Sequence, residues 1–127
     1  RTPMPEYHLA ESEARVAGLI WENEPIASGE LVRLCAQQLG WKSTTTYTVL
    51  RRLCDRGLFC NENSTVRALV SREEFEQHKS RAFVQETFGG SLPGFLAAFL
   101  GGRRLSARQA DELQQLIDRC REEGDDE

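Results

Sequence analysis

The stretch of sequence that is most informative about the fold is residues 41–70, W-K-S-T-T-T-Y-T-V-L-R-R-L-C-D-R-G-L-F-C-N-E-N-S-T-V-R-A-L-V. The first half predicts a helix, with Ser43 or Thr44 as its N-cap and Gly57 as the left-handed residue after its end. Side chains that recur at helical spacing predict one buried stripe, formed by Thr46, Val49, Leu50 and Leu53. A tight two-stranded hairpin is predicted directly after Gly57.

The opposite face of this helix carries hydroxyls, an aromatic ring and two guanidiniums, where a merely solvated helix usually shows Glu/Lys pairs. At about 100° per residue, this outer face consists of Thr44, Thr45, Tyr47, Thr48, Arg51 and Arg52. Hydroxyls and methyls suit thymine methyls and base edges, and an arginine suits guanine or phosphate. Lys42, Ser43 and Arg52 are better placed for phosphates, near the positive end of the helix dipole. The pattern predicts a surface that lies in a DNA groove.

The hairpin is predicted to pair residues 58–62 with residues 66–70 across a three-residue loop, Asn63-Ser64-Thr65. We expect Cys60 to face the helices together with the alternating side chains of Val66, Ala68 and Val70. Arg67 is then expected to face outward, as a further DNA contact.

Two helices are predicted before this stretch. The first runs from about Glu11 to Glu24 and is ended by Pro25. Ile26-Ala27 is long enough only for a bridging strand, and Ser28 is expected to cap a second helix that Gly40 stops. Two short helices joined by a tight turn and followed by a hairpin predict a winged helix-turn-helix over residues 9–70. Residues 1–8 are expected to form a flexible arm.

From Ser71 the sequence predicts three further helices, to about Phe88, over 92–100 and to about Arg121, with capping boxes at Ser71 and Ser106. Glycine pairs separate them, and their apolar side chains exceed what three such helices obviously bury among themselves. We therefore expect a dimerisation domain over residues 71–123 and an acidic tail over 124–127, with self-packing into a monomeric bundle as the alternative. The expected interface residues are Phe83, Phe88, Leu92, Phe95, Leu96, Phe99, Leu100, Leu113, Leu116 and Ile117. The overall fold class is thus mainly α with a small β-hairpin wing.

Charge is unevenly distributed along the 127 residues, whose formal net charge is −4. Residues 41–72 hold six basic and two acidic side chains, whereas residues 73–127 hold twelve acidic and seven basic ones. At physiological salt, screening over about 8 Å allows such a local positive patch to bind phosphates on an acidic protein. No apolar run is long enough to span a bilayer and no secretory signal is evident, so we expect a cytoplasmic protein without membrane insertion.

Catalytic and metal-binding patterns are not evident. The four cysteines, Cys35, Cys54, Cys60 and Cys120, form no C-x-x-C pair, and His8 and His78 lie outside any catalytic constellation. Small buried thiols are the simpler interpretation of the cysteines. We expect no enzyme, no cofactor and no metal site.

Five segments together resemble the penicillinase-repressor family, of the BlaI/MecI/CopY type. They are L-A-E-S-E-A-R-V-A-G-L-I-W, W-K-S-T-T-T-Y-T-V-L-R-R-L-C-D-R-G-L, A-L-V-S-R-E-E-F, F-G-G-S-L-P-G-F-L-A-A-F and L-S-A-R-Q-A-D-E-L. The resemblance covers about Leu9 to Arg121, and the F-G-G-S-L segment is not shared by winged-helix proteins in general.

The resemblance implies a homodimeric bacterial repressor that binds palindromic operators, typically with TACA-like half-sites. It also implies release through a membrane sensor protease, with cleavage of an Asn-Phe bond in the dimerisation arm. The equivalent bond here is Ala98-Phe99, which lacks the asparagine. Copper sensing is not expected, because that branch carries a cysteine cluster near the C-terminus where this chain has only Cys120. The wing has Asn63-Ser64-Thr65 where the family commonly has Gly-Arg, and Tyr47 replaces a basic or amide residue.

Two other functions stay open at this stage. A metal- or thiol-responsive repressor would use Cys54 and Cys60, which lie near the predicted recognition helix. A winged-helix protein-interaction module would keep the fold without reading DNA, and its sign would be an occluded or acidic outer face.

Overall fold

The computed structural model describes residues 7–123, and the predicted fold class is confirmed: six helices accompany one small sheet. The predicted tail over 124–127 and residues 1–6 of the predicted arm lie outside the described residues. The elements are α1 (Glu11–Asn23), β1 (Ile26–Ala27), α2 (Ser28–Leu39), α3 (Ser43–Asp55), β2 (Phe59–Glu62), β3 (Thr65–Ala68), α4 (Arg72–Phe88), α5 (Leu92–Leu100) and α6 (Ala107–Glu123). Among the described residues, no helix is both long and apolar enough to cross a bilayer.

Helices α2 and α3 form the predicted helix-turn-helix, and glycine ends both of them. Gly40 has φ +70° and Gly57 has φ +82°, a left-handed conformation that a residue without Cβ adopts at low cost. The predicted N-caps are wrong. The N-cap of α2 is Ala27 and that of α3 is Lys42, and neither side chain forms a cap hydrogen bond. Ser28 and Ser43 are each the first residue inside their helix, so their hydroxyls lie one position too late for the cap.

The core lies where α1, α2 and α3 meet the sheet. The predicted stripe of α3 is confirmed, because Thr46, Val49, Leu50 and Leu53 are each at most 2% exposed. Trp21 of α1 joins this core to the end of the wing. Its indole Nε1 donates to the Val70 carbonyl at 2.9 Å, and its ring lies 5.3 Å from that of Phe59. This packing gives a small β-ribbon the support that it needs to persist.

The wing is part of a three-stranded antiparallel sheet in the order β1-β3-β2. Its turn has two residues, Asn63 and Ser64, instead of the predicted three, and both have positive φ, of 53° and 59°. This is the pattern of a type I′ turn, whose twist matches that of the flanking strands. Thr65 therefore belongs to β3, where it pairs with Glu62.

The prediction for Cys60 is wrong as well. Cys60 lies directly opposite Arg67 across the β2–β3 ladder, and opposed residues in such a ladder project from the same face of the sheet. Cys60 therefore shares the outward face of Arg67. Phe59, one position earlier, is 1% exposed and takes the core position together with Val66.

The chain divides into two compact units, one that ends at Phe83 and one that begins at Val84. Within the first, Tyr7 stacks on His78 with ring centroids 4.5 Å apart, and α4 begins with the predicted capping box at Ser71. Ser71 Oγ accepts from the Glu74 amide at 3.1 Å, and Glu74 Oε1 accepts from the Ser71 amide at 3.2 Å. The domain boundaries inferred from the sequence stay a prediction.

The second unit contains α5 and α6, and both begin at a serine whose hydroxyl accepts a backbone N–H. Ser91 Oγ accepts from Gly94 at 2.9 Å and Ser106 Oγ accepts from Gln109 at 3.1 Å. Phe88 and Phe95 meet edge to face at 5.6 Å, and Phe95 lies 5.9 Å from Phe99. Nevertheless, no side chain between residues 84 and 122 is buried.

Candidate nucleic-acid interface

The α3 outer face is a solvent-exposed surface, as predicted from helical periodicity. All six of its side chains are exposed, and so are Lys42 and Ser43 at the start of the helix. Because Thr46, Val49 and Leu53 are held in the core, the rotation of α3 about its axis is fixed, and the outer face can only point to solvent. The outer face is therefore neither occluded nor acidic, which disfavours the protein-interaction alternative on its own stated criterion.

The buried stripe of α3 contains one hydroxyl, that of Thr46, which is 0% exposed next to the core cysteine Cys35. Burial raises the pKa of the Cys35 thiol, and its side-chain hydrogen bond with Thr46 offsets part of that rise. A thiol is a weak hydrogen-bond partner, and Thr46 Oγ1 has no conventional one. Thr46 thus supports the orientation of α3 by shape more than by hydrogen bonding.

Four cations of the basic stretch are available to an anionic ligand. Lys42, Arg51 and Arg52 of the helix and Arg67 of the wing are exposed, and none forms an ion pair with another residue in the range 7–123. A guanidinium or ammonium without an internal partner keeps its full capacity to bind phosphate. The α3 outer face and the wing therefore present positive charge from two elements of the same unit.

The other two cations of the stretch have structural roles that the sequence count missed. Arg56, at the end of α3, lies 3.3 Å from the buried carboxylate of Glu13 and donates to the His8 carbonyl. Glu13 Oε1 also accepts from the Ala10 amide at 2.9 Å. A helical-spacing signal existed for Arg56, because it continues the stripe of Val49 and Leu53 at intervals of four and three residues.

Arg72 likewise has a structural role, because its guanidinium contacts three residues of α1. Its guanidinium lies 5.5 Å from the centroid of the Trp21 ring and 3.7 Å from a carboxylate oxygen of Glu22, and it donates to the Gly18 carbonyl at 3.3 Å. These contacts join the start of α4 to α1, and they are long-range in sequence. Arg72 is therefore a packing residue, and the net positive surface of residues 41–72 is smaller than the count of basic residues indicates.

A shallow depression of about 230 Å³ lies on the outer face of α3, and its lining is Thr44, Thr45, Thr48, Val49 and Arg52. Pockets for small ligands usually enclose roughly 300–1,000 Å³. This one is smaller, and all five lining residues belong to the single helix α3. It fits contact with the edge of a large ligand better than capture of a small molecule.

Tyr47 and the wing turn are both hydrogen-bonded to Ser28, for which the sequence pattern predicts only a role as a helix cap. The Tyr47 hydroxyl donates to Ser28 Oγ at 3.5 Å, and the Ser28 amide donates to the Ser64 carbonyl at 2.9 Å. Ser28 itself is 6% exposed. No local pattern in the sequence indicates these contacts, because they join three elements that are distant along the chain.

The cysteines do not form a metal site within the described residues, where no group of three or more His, Cys, Asp or Glu side chains could hold an ion. Cys54 and Cys60 do lie close enough to interact. Burial raises the pKa of the Cys54 thiol, and the neighbouring Cys60 and Asp55 raise it further. A raised pKa leaves less thiolate at neutral pH, and thiolate is the form that reacts and binds metals. The raised pKa of Cys54 therefore disfavours the thiol-responsive alternative.

The residues predicted for dimerisation are half-buried or exposed, and Phe99, Leu92 and Phe83 are 69%, 57% and 49% exposed. On α6, Leu116 and Ile117 are each 47% exposed, on the same helix face as Leu113. Ala98, the first residue of the bond equivalent to the family's cleavage site, is exposed in α5.

Comparison with known proteins identifies the family of this chain. A model of the penicillinase repressor family matches residues 9–119, which is most of the sequence. The chain belongs to the penicillinase repressor family. This is a family of transcriptional repressors, and the predicted resemblance is confirmed.

Two relatives of the penicillinase repressor family are similar over nearly their full length. The penicillinase repressor of Bacillus licheniformis is 24% identical over 115 residues, which cover 87% of this chain and 89% of that protein. The methicillin resistance regulatory protein MecI of Staphylococcus epidermidis is 19% identical over 117 residues, which cover 89% of this chain and 95% of that protein. At such low identity the family and its fold carry over, whereas individual contacts have to be argued from this chain.

Proposed function

We propose that this protein is a dimeric bacterial transcriptional repressor that binds palindromic operator DNA, with TACA-like half-sites, through its winged helix. One observation carries the proposal: the α3 outer face exposes three threonines, a tyrosine and two arginines directly opposite a fully buried stripe. Helices that pack in this way in winged-helix proteins insert their outer face into the major groove. Membership of a repressor family supports the same function.

The side chains divide into two kinds of contact. Thr44, Thr45 and Thr48 bring hydroxyls and methyls to base edges and thymine methyls, and Arg51, two turns into the helix, reaches a guanine. Tyr47 adds an aromatic contact beside them. Phosphate contacts come from Lys42, Ser43 and Arg52, assisted by the unsatisfied N–H groups at the start of α3 and by Arg67 in the wing.

A dimer is required by the arithmetic of recognition. One helix that reads about four base pairs, at roughly 1–3 kcal/mol per good contact, does not discriminate an operator from a bacterial genome. The exposed and half-buried apolar side chains of the second unit supply a surface for the second copy. Nine of the ten residues predicted from the sequence belong to this unit, and the tenth, Phe83, ends the first unit; we propose all ten as dimer contacts. Burial of each such side chain contributes about 1.5–3 kcal/mol.

Release from DNA is proposed to occur through a sensor pathway that breaks the dimer, for example by proteolysis in α5. The Ala98-Phe99 bond is the candidate for cleavage, because both residues are exposed and lie within one turn of the glycine pair that ends the helix. A protease that requires asparagine before the bond would not cut there. Mass spectrometry of the protein recovered from induced cells identifies the bond that is cut.

The test of DNA reading uses an operator selected from random DNA by the wild-type protein. Arg51→Ala should weaken binding to that operator by about 1–3 kcal/mol, and weaken binding to unselected DNA much less. Lys42→Ala should weaken both by similar factors and reduce the salt dependence by about one counterion. Arg15→Ala, an exposed arginine of α1 that is paired with Glu11, is the matched control and should change neither.

Two results would contradict the proposal. If the wild-type protein enriches no sequence and shows no salt-dependent DNA binding, the DNA-reading function is wrong. If Arg51→Ala lowers binding to both DNAs equally, Arg51 is a phosphate contact and the reading of bases must lie with the threonines.

A further inference from the structure

A single buried residue bonds both parts of the proposed DNA-binding surface. The Ser28 amide donates to the Ser64 carbonyl in the wing turn at 2.9 Å, and Ser28 Oγ accepts from the Tyr47 hydroxyl on α3 at 3.5 Å. Ser64 is exposed and Tyr47 is 42% exposed, whereas Ser28 is 6% exposed. The two exposed elements are therefore joined through one residue beneath them.

Neither of these two hydrogen bonds contributes to the N-terminal capping of α2, the helix that Ser28 begins. The first N–H groups of a helix have no intrahelical acceptor, and the N-cap of α2 is Ala27, so the Ser28 hydroxyl has no capping role. The hydrogen bond from the Ser28 amide to the Ser64 carbonyl extends the β1–β3 ladder by one step beyond the Ala27–Thr65 pair. The amide N–H and the hydroxyl of Ser28 therefore both bond outside α2, the N–H to the wing and the hydroxyl to α3.

We propose that Ser28 is a positioning residue that holds the wing turn and the recognition helix α3 at a fixed separation for simultaneous contact with DNA. The inference rests on the proposed DNA-binding function and assigns no DNA contact to Ser28 itself. Operator binding depends on this separation, because base contacts from α3 and backbone contacts from the wing must form together. Binding to unselected DNA depends on it less, because phosphate contacts tolerate small displacements.

The experiment is a double-mutant cycle of Ser28→Ala and Tyr47→Phe, measured as operator affinity. Each change removes one partner of the same hydrogen bond and keeps the backbone amide and the aromatic ring. Because 3.5 Å is long for a hydrogen bond between two hydroxyls, we expect each single variant to lose only about two- to threefold in affinity. The double variant should lose no more than the larger single loss. Ser12→Ala, a half-buried serine of α1, is the matched control and should bind like the wild type.

The variant Ser28→Pro also removes the hydrogen bond from the Ser28 amide to the Ser64 carbonyl. Proline suits the first position of a helix, and Ala27 already has the φ of −63° and ψ of 141° that a residue before proline prefers. This variant lacks both the hydroxyl and the N–H, so its operator affinity should fall roughly tenfold or more. Hydroxyl-radical footprinting should then show weaker protection of the deoxyriboses beside the phosphates contacted by the wing, with protection by α3 retained.

Two outcomes would overturn the positioning role: independent, additive losses in the cycle, which would mean that the Tyr47 hydroxyl contacts DNA directly, or wild-type footprints for Ser28→Pro. Thermal unfolding of each variant separates loss of folding from loss of positioning. Failure of the wild-type protein to select any DNA would instead be a failure of the proposed function.

Discussion

The two units of this molecule bury their apolar side chains to very different degrees. Within the described residues of the first, fourteen hydrophobic side chains from α1, α2, α3, Leu58, the sheet and Phe75 of α4 are buried. In the second, helix α5 is apolar at almost every position, yet no side chain between residues 84 and 122 is buried. One unit has a closed core, and the other has the composition of a core without its burial.

A high apolar content therefore does not by itself stabilise a unit; the apolar side chains must also be buried. Ordering a residue costs roughly 1–2 kcal/mol of backbone entropy, which must be offset by burial. The first unit meets that requirement from its own side chains. The second can meet it fully only when another surface covers Leu92, Phe99 and the stripe of α6, which is the physical reason for proposing a second copy there.

The largest effect is expected from a charge on the uncovered surface. Phe99→Glu should convert a dimer into monomers and lower operator affinity by about 100-fold or more, because an unpaired carboxylate cannot be buried in an apolar interface. Sedimentation measures the mass, and thermal unfolding of the first unit should stay unchanged. Leu116→Glu should behave in the same way.

The matched control for α6 is Gln115→Glu, which adds the same charge on the opposite side of the helix and should leave the dimer intact. A dimer that survives Phe99→Glu and Leu116→Glu would mean that the apolar faces of the second unit serve another purpose. The difference in burial between the two units would then have to be explained by packing of the second unit on itself.

A smaller effect is expected inside the closed unit. Arg56→Ala should lower its free energy of unfolding by about 2–3 kcal/mol, because the Glu13 carboxylate, whose side chain is 3% exposed, loses its cation. Urea unfolding measures the loss. Arg15→Ala breaks an exposed pair with Glu11 and should cost less than about 0.5 kcal/mol. Equal costs for the two variants would show that the Arg56–Glu13 pair is not part of the core.

The smallest effect is expected on the pH dependence of the free energy of unfolding. Burial raises the pKa of Cys54 in the folded state, so the unfolded chain ionises first as pH rises. The stability contributed by the neutral thiol is therefore complete below the pKa of the unfolded thiol, near 8.5, and is lost as pH rises through the folded value. Cys54→Ser should flatten the fall in the free energy of unfolding as pH rises above the pKa of the unfolded thiol. A slope that is unchanged in Cys54→Ser would remove this contribution.

Local patterns were enough to predict the helices, their glycine ends and the orientation of α3. The buried stripe from Thr46 to Leu53 follows from helical period alone, and Gly40 and Gly57 follow from the need for positive φ. The wing was harder. With a loop of three residues in place of two, the pairing and the face assigned to Cys60 changed, because alternate strand residues point to opposite sides.

What the sequence could not supply were partners distant along the chain. Arg56 and Arg72 counted as surface charge until the positions of Glu13 and Trp21 were known. Ser28 was predicted as a cap, and its two bonds to the wing and to α3 depend on the packed arrangement of three elements. Composition predicts which groups are present, but pairing is a property of the fold.

The position of Trp21 makes the protein its own fluorescent reporter. Its indole touches the exit of the wing through Val70, the β2 ring of Phe59 and, on α4, both Phe75 and Arg72. Since the chain has two tryptophans, replacing Trp41 by Phe would leave one emitter at this junction. The emission maximum and the intensity of its fluorescence would then report any movement of the wing relative to α1 when nucleic acid is added, without an attached dye.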